Sequence, residues 1–572
     1  MKRYHFLLVS ALVVGIVFSG CNPLKKMKDN AQNVKYTVNP PVLELVGNDV
    51  NVSINGSYPA GYFNKNVVLT LTPVLKSGSS EVALDTYKVQ GQAVKENNRV
   101  ISVDGGSFNY ASKAAYRPDF QLSELELRIN GVNKGKQPGL DFDPYKIADG
   151  IITTCLLVQK NGKTTYAADR YVRITPDSYE ADIKYLIQQS DVRTTETRKP
   201  EITTFTEAVK AAAANERINF TGTQLSAYAS PDGPLDLNTK LSGNREKTGM
   251  DFFTRNFKAA NVEDVLKSDL LKTVVTPEDW DGFKTAMEKS NIRDKELILR
   301  VLSMYSDPEV REREIKNLSA AYEEIKVQIL PQLRRTKMLV NVELVGLSDQ
   351  EINAQFDRDP SRLKLEEILY AGTLTQDPNR KLAIYQAAAR NYPSDYRTKN
   401  NLGAILLDLG RTSEAKTALT EARAVQDNEI VKNNLGIVAL REGNLAQAEE
   451  LLNAAGSGDA VKYNLGTIKI IQGQYNDALS HFGNQVEVNA ALAKLLAKQN
   501  DAALSTLNSV KSDDALVYYL KAIIGARTQN TNLLMENLRT ACSKSPALKA
   551  NASKDIEFGK YFQDNTFRSI VN

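Results

Sequence analysis

The stretch of this 572-residue chain with the most pointed chemistry is 224–257, QLSAYASPDGPLDLNTKLSGNREKTGMDFFTRNF. A strand is expected over 224–229, a turn at Pro231, Asp232 and Gly233, and then a helix whose Met250, Phe253 and Phe257 share one face. Ser242 is the expected N-cap, which would put Arg245 in the first helical turn. A cation there opposes the helix dipole, so an arginine beside unpaired backbone N–H groups points to an anion site. The other reading, a guanidinium simply in solvent, stays open.

Other chemistries are narrowed by composition. The two histidines are His5, in an N-terminal leader, and His481, so a histidine-based triad or multi-histidine metal site is unavailable to a processed chain. No nucleophile–base pair or metal cluster has a recognisable spacing, so neither an enzyme nor a cofactor is expected. The formal charge of +4, or +2 without Lys2 and Arg3, comes from mixed-sign surfaces and argues against nucleic acid as a partner. Cys155, in the apolar run 151–158, and Cys542 fall in separate expected domains, where small buried thiols are expected and not a disulfide.

The elements that would position these residues fall into several regions. Lys2 and Arg3, an apolar run over 6–18 too short to span a bilayer, and Ser19-Gly20-Cys21 form a leader. It resembles a bacterial lipobox, which implies a signal peptide at 1–20 and acylation of Cys21. Asn22 after the cysteine favours the outer membrane, and Lys25, Lys26 and Lys28 differ from acidic surface-export tracts, favouring a periplasm-facing anchor. Residues 21–38 are expected to be a lipidated tether. Over 39–176, Val50, Val52 and Ile54, and again Leu125, Leu127 and Ile129, alternate with polar residues, as in antiparallel β-sandwich modules. A central α+β domain is expected over 177–350. It opens with Ile183, Tyr185 and Ile187 on one strand face, continues through a helix over 206–214, and carries a helical insertion over 261–330. The insertion's last helix would place Ile315, Leu318, Tyr322, Ile325 and Ile329 on one face and end at Pro331, and Trp280 is expected in its core. The region 360–572 reads as an all-α solenoid. In it, NLG recurs at intervals of 33 and 30 residues, followed by Gly410, Gly443 and Gly473, by Ala415, Ala448 and Ala478, and by Leu419, Leu452 and Phe482.

Two further resemblances follow from these residues. Tyr228, Gly233, Asn238, Leu241, Ser242 and Arg245 have the order and spacing of the OmpA-like peptidoglycan-associated domain, in the variant found in Bacteroidota cell-envelope lipoproteins. In that family an Asp and an Arg clamp the diamino acid of the wall peptide. Asn238 and Arg245 match, Ser230 stands at the family's Asp position, Glu246 replaces the usual Ala, and Asp232 is the candidate substitute, so the implied peptidoglycan set is Ser230, Asp232, Asn238 and Arg245. The region after 360 resembles tetratricopeptide repeats, with 383–393 as the second helix of a degenerate preceding repeat. That resemblance implies a groove lined by Asn401, Asn434 and Asn464 that hydrogen-bonds an extended peptide. Lys399, Lys432 and Lys462, two residues earlier, would favour an acidic ligand, or would lay their stems over apolar surface with the ammonium in water. The expected function is a non-catalytic outer-membrane lipoprotein scaffold that binds protein partners in a biogenesis or secretion assembly and contacts peptidoglycan. The alternatives are a surface-exposed adhesin or fimbrial anchor and, more remotely, a wall-modifying enzyme.

Overall fold

Period-two alternation in the N-terminal third builds a single sheet of eleven strands. The computed structural model describes residues 22–572 apart from residue 135, so Cys21, the expected lipidation site, lies outside the described residues. The chain forms two units, one of residues up to Ala167 together with Tyr392–Asn572, the other Ala168–Asn391.

In the first unit, Val50, Val52 and Ile54 of strand Asp49–Tyr58 and Leu125, Leu127 and Ile129 of strand Glu124–Asn133 point into one core, as their alternation predicts. Pairing is mostly antiparallel. Tyr145–Ile152 on Val42–Val46 and Tyr87–Gly91 on Arg99–Ile101 are parallel. The domain ends at Ile152, well short of the expected boundary at 176. Beyond it Cys155 lies in a short 3-10 turn, Thr154–Leu157, and not in a strand. Its buried thiol donates to the Leu45 carbonyl at 3.3 Å, and Cys542 is likewise a free buried thiol.

The expected tether is folded. Asn22 caps a helix, Pro23–Asp29, in which Leu24 and Met27, three apart, are both buried against the β-sheet domain. Gly131 makes room for Leu24: a Cβ there would stand 2.7 Å from Leu24 Cδ2. The Tyr62 hydroxyl donates to the Met27 carbonyl at 2.9 Å, Lys28 pairs with Asp143 at 3.0 Å, and the strand Lys35–Asn39 follows.

The repeat spacing builds helix pairs: Tyr396–Asp408 with Thr412–Val425, Glu429–Arg441 with Leu445–Asn453, and Asp459–Ile471 with Tyr475–Phe482. Gly403, Gly436 and Gly466 lie against Leu419, Leu452 and Phe482 so closely that any Cβ would come within 2.4 to 2.8 Å of those side chains. Gly410, Gly443 and Gly473 turn each pair at φ of 75°, 80° and 77°, a region that glycine enters without strain. The last of these repeats share one continuous core with the β-sheet domain.

The second unit is a four-stranded sheet in the order Ile174–Lys184, Arg335–Val345, Ile218–Tyr228, Leu271–Thr276. The last pair is parallel and the others antiparallel. Helices Pro200–Ala213 and Leu235–Ala259 close one face over Ile183, Leu225, Phe253, Phe257, Met338 and Val340. The strand Leu271–Thr276 corrects the expectation of uninterrupted helix over 261–330; its β-branched Thr273, Val274 and Val275 favour the sheet edge. The expected last helix of the insertion is three short ones, Pro308–Asn317, Ser319–Gln328 and Leu330–Leu333, broken at Leu318 and Ile329. Its Ile315, Ile325 and Ile329 still meet Phe283, Met287 and Ile298 in a small separate core, against which Trp280 packs. Helix Pro378–Asn391 stands where the degenerate preceding repeat was expected, beside Leu365–Ala371.

Candidate functional site

The helical repeats place Asn401, Asn434, Asn464 and also Asn489 in a row, with side chains almost completely buried. They face residues 158–167, VQKNGKTTYA, which run extended along the repeats. Each carboxamide bonds the backbone of one residue in both directions. Asn464 accepts from the Lys163 N–H at 2.7 Å and donates to the Lys163 carbonyl at 3.0 Å. Asn434 does the same with Thr165 at 2.9 and 2.8 Å, Asn401 with Ala167 at 2.7 and 2.9 Å, and Asn489 with Gln159 at 2.9 and 2.8 Å. Positions 163, 165 and 167 alternate as one side of an extended chain must, so successive repeats read every second residue. The asparagines named by the resemblance thus form a ladder whose occupant is this chain's own segment.

A second row braces the first. Asn434 Nδ2 also reaches Asn400 Oδ1, and Asn464 Nδ2 reaches Asn433 Oδ1, each at 3.0 Å. Asn400 and Asn433 in turn donate to the Thr165 and Lys163 carbonyls at 3.2 and 3.1 Å. The doubled asparagine of KNNLG at 399–403 and 432–436 was the available signal for these residues; Asn489 has none, because it lies outside the NLG pattern. At 462–466 Tyr463 takes the first asparagine's place, and the Lys163 ammonium stands 4.9 Å above its ring and 2.5 Å from Glu487. Thr164 and Tyr166 donate to the two oxygens of Asp408 at 2.9 and 2.6 Å. Gly162, at φ +69°, fits where a Cβ would come within 2.8 Å of Ile437.

The three lysines do not face the segment. A residue two positions before an asparagine on a helix points about 200° away from it. Lys399 pairs with Glu421 on the following helix at 3.2 Å, Lys432 lies 3.7 Å from Asp427, and Lys462 is exposed. The segment in the groove carries Lys160 and Lys163 and no acidic residue, so it is not the acidic ligand that a lysine ladder would select.

The Arg245 expectation is corrected as well. The helix starts after Pro234 and runs 25 residues, so Ser242 and Arg245 lie in its interior. Proline just before the first turn is preset for helix entry, and Ser242, with no free N–H to cap, bonds back to the Asn238 carbonyl at 2.7 Å. Arg245 is fully buried and donates to three backbone carbonyls, those of Gln189 at 3.0 Å, Tyr228 at 2.9 Å and Leu186 at 3.3 Å. Its guanidinium lies 5.1 Å over the Tyr185 ring, and burial lowers its pKa to about 10. Asn238 ties the turn to the helix through the Gly233 carbonyl at 2.9 Å. Ser230 donates to Asp232 at 2.6 Å, and Arg334 reaches both, at 3.2 and 3.3 Å. Of the four residues expected to contact the wall, Ser230 and Asp232 are thus brought together with Arg334, while Asn238 and Arg245 hold backbone.

The β-sheet domain and the turn that follows it meet the last repeats through polar contacts. Thr154 donates to Glu557 at 2.6 Å, Gln121 to Asn551 at 3.4 Å, and Lys498 pairs with Glu44 at 2.5 Å. Arg527 holds Glu557, and beside it the buried Asp555 accepts the Tyr519 hydroxyl at 2.8 Å. Burial first, then the charge of Glu557, raises the Asp555 pKa to about 6.

Among the described residues no group of three or more His, Cys, Asp or Glu is placed to hold a metal ion, and no helix is long and apolar enough to cross a membrane. No family model and no curated protein matches the chain. Solved structures similar to it include the APC/C hetero-tetramer Cut9–Hcn1, at 17% identity over 38% of this chain and 44% of that one, with a TM-score of 0.31. The chain thus spans less than half of that protein. Others are a tetratricopeptide repeat protein from Parabacteroides merdae (13% identity, 36% and 91% covered, TM-score 0.30) and PilW, a widely conserved type IV pilus biogenesis factor (16%, 39% and 89%, TM-score 0.22). By its own geometry the C-terminal region is an array of consecutive helix pairs.

Proposed function

We propose that this chain is a non-catalytic scaffold, lipid-anchored at Cys21 to the periplasmic face of the outer membrane, which offers protein partners in an envelope assembly one platform built from its β-sheet domain and its repeats. The observation that carries this reading is the asparagine ladder closed on residues 159–167: the peptide-binding side chains are spent on joining two parts of the same chain. Partners are then met by the outer surfaces of the joined body. The spacing of Tyr228, Gly233, Asn238 and Arg245, and the closing strand Arg335–Val345 after Arg334, support an OmpA-like reading of the central unit. Contact with a wall peptide would fall to Asp232 and Arg334, whose side chains keep 16% and 11% exposure.

The test is affinity purification from detergent-solubilised envelopes, comparing wild type with the Asn401→Ala, Asn434→Ala, Asn464→Ala triple variant. The scaffold reading predicts that partners recovered with wild type are lost when the platform is unlocked. An unchanged partner set would place binding on a single domain. Cys21→Ser, followed by membrane fractionation, tests the anchor separately: retention of the variant in the outer membrane after a high-salt wash would contradict it.

A further inference from the structure

We infer that the end of the β-sheet domain beside Asn22 is a docking surface for an anionic phospholipid bilayer. This rests on the proposed acylation of Cys21. Asn22, the next residue, is already the N-cap of the helix Pro23–Asp29, and Leu24 and Met27 fix that helix in the core. One residue spans at most about 3.6 Å, so a lipid on Cys21 would keep this end of the domain within reach of the headgroups.

The charge of that end is complementary. Lys25 and Lys26 are exposed on the outer side of the helix. Lys26 lines a cavity of about 150 Å³ with Pro59, Gly61 and Tyr62, next to the 64–66 loop. That loop is bonded to two neighbouring turns: the Ala93 N–H donates to the Lys65 carbonyl at 2.9 Å, and the Lys134 N–H to the Asn66 carbonyl at 2.8 Å. Lys65, Lys95 and Lys134 are all exposed there. Against these five lysines stand the exposed Asp29, Glu96, Asp104 and Asp141, while Asp143 is paired with Lys28. Beside a lipid at Cys21, a basic surface adds an electrostatic attraction of its own; each lysine near an anionic surface strengthens binding about five-fold.

The experiment uses the folded residues 22–572, which carry no acyl group, so its outcome does not depend on whether Cys21 is modified. Co-sedimentation is measured with vesicles of phosphatidylcholine alone and of phosphatidylcholine mixed with phosphatidylglycerol. Binding is expected to the anionic vesicles only, falling as salt rises, and weakened at least about ten-fold by Lys25→Glu with Lys26→Glu. Reversing Lys511 and Lys560, exposed on the repeats, should leave it within about two-fold, below the effect of removing one lysine from the bilayer-facing end. Equal binding to both vesicle types, no binding to either, or an equal loss from the Lys511 and Lys560 reversals would overturn the assignment.

Discussion

The groove of the repeats and the interior of the central helix both carry side chains of the type that recognises ligands, and both use them on the chain's own backbone. The difference is in charge. The groove uses neutral carboxamides, each donating and accepting toward one residue of the segment 159–167, so no charge is desolvated and every bond has a direction. The central unit instead buries a guanidinium, Arg245, among the carbonyls of Leu186, Gln189 and Tyr228, and its lowered pKa records what burial does to an ion. A row of amides can therefore close on any extended segment of suitable side chains, whereas one buried cation fixes one local arrangement.

The comparison can be broken by mutation. The largest effect is expected from replacing Asn401, Asn434 and Asn464 together by Ala, which removes six hydrogen bonds to the segment. At roughly 1 kcal/mol each, this should destabilise the first unit by about 6 kcal/mol in chemical denaturation. A loss under about 1 kcal/mol would mean the ladder contributes no more than one such bond. Arg245→Met should cost the second unit about 3–5 kcal/mol, because three buried carbonyls lose their donor, with Arg245→Lys intermediate. If Met is tolerated, the guanidinium is not holding those carbonyls. Gly162→Val should cost about 2–3 kcal/mol, since a β-branched residue is strained at φ +69° and its Cβ meets Ile437. Gly61→Val, at φ +77° with open space around it, separates backbone strain from the clash.

The smallest effect is the pH dependence at Asp555. Its folded pKa, about 6, lies above the ordinary carboxylate value of 3.8, so the folded state binds this proton more tightly than the unfolded state. The group therefore adds stability as pH falls from about 7 toward 4, and that contribution is lost as pH rises through 6. Wild type minus Asp555→Asn stability should rise over that window; a flat difference would show that Asp555 titrates normally.

Much of this was legible in local spacing, and what was not has physical reasons. The glycine pairs of the repeats announced the helix contacts because close approach permits no other residue there, and the alternation at 50–54 and 125–129 announced the β core. The asparagine ladder was legible as a peptide reader, but its occupant was not: Asn464 and Lys163 are 301 residues apart, and no local pattern encodes such a pairing. Ser242 misled because serine serves a helix interior by back-bonding as readily as it caps a start. The strand Leu271–Thr276 is six residues long among helical neighbours, where a short apolar run fits either period. The tether expectation failed because two apolar residues, Leu24 and Met27, suffice to dock a helix when a glycine opens the space beneath.

The central claim, that the groove is filled by the chain's own segment, is tested most directly by amide hydrogen exchange over residues 158–167 of the wild-type protein. The account predicts slow exchange at Gln159, Lys163, Thr165 and Ala167, whose N–H groups are held by Asn489, Asn464, Asn434 and Asn401, with faster exchange at Thr164 between Lys163 and Thr165. Uniformly fast exchange along the segment, without the two-residue alternation, would contradict it.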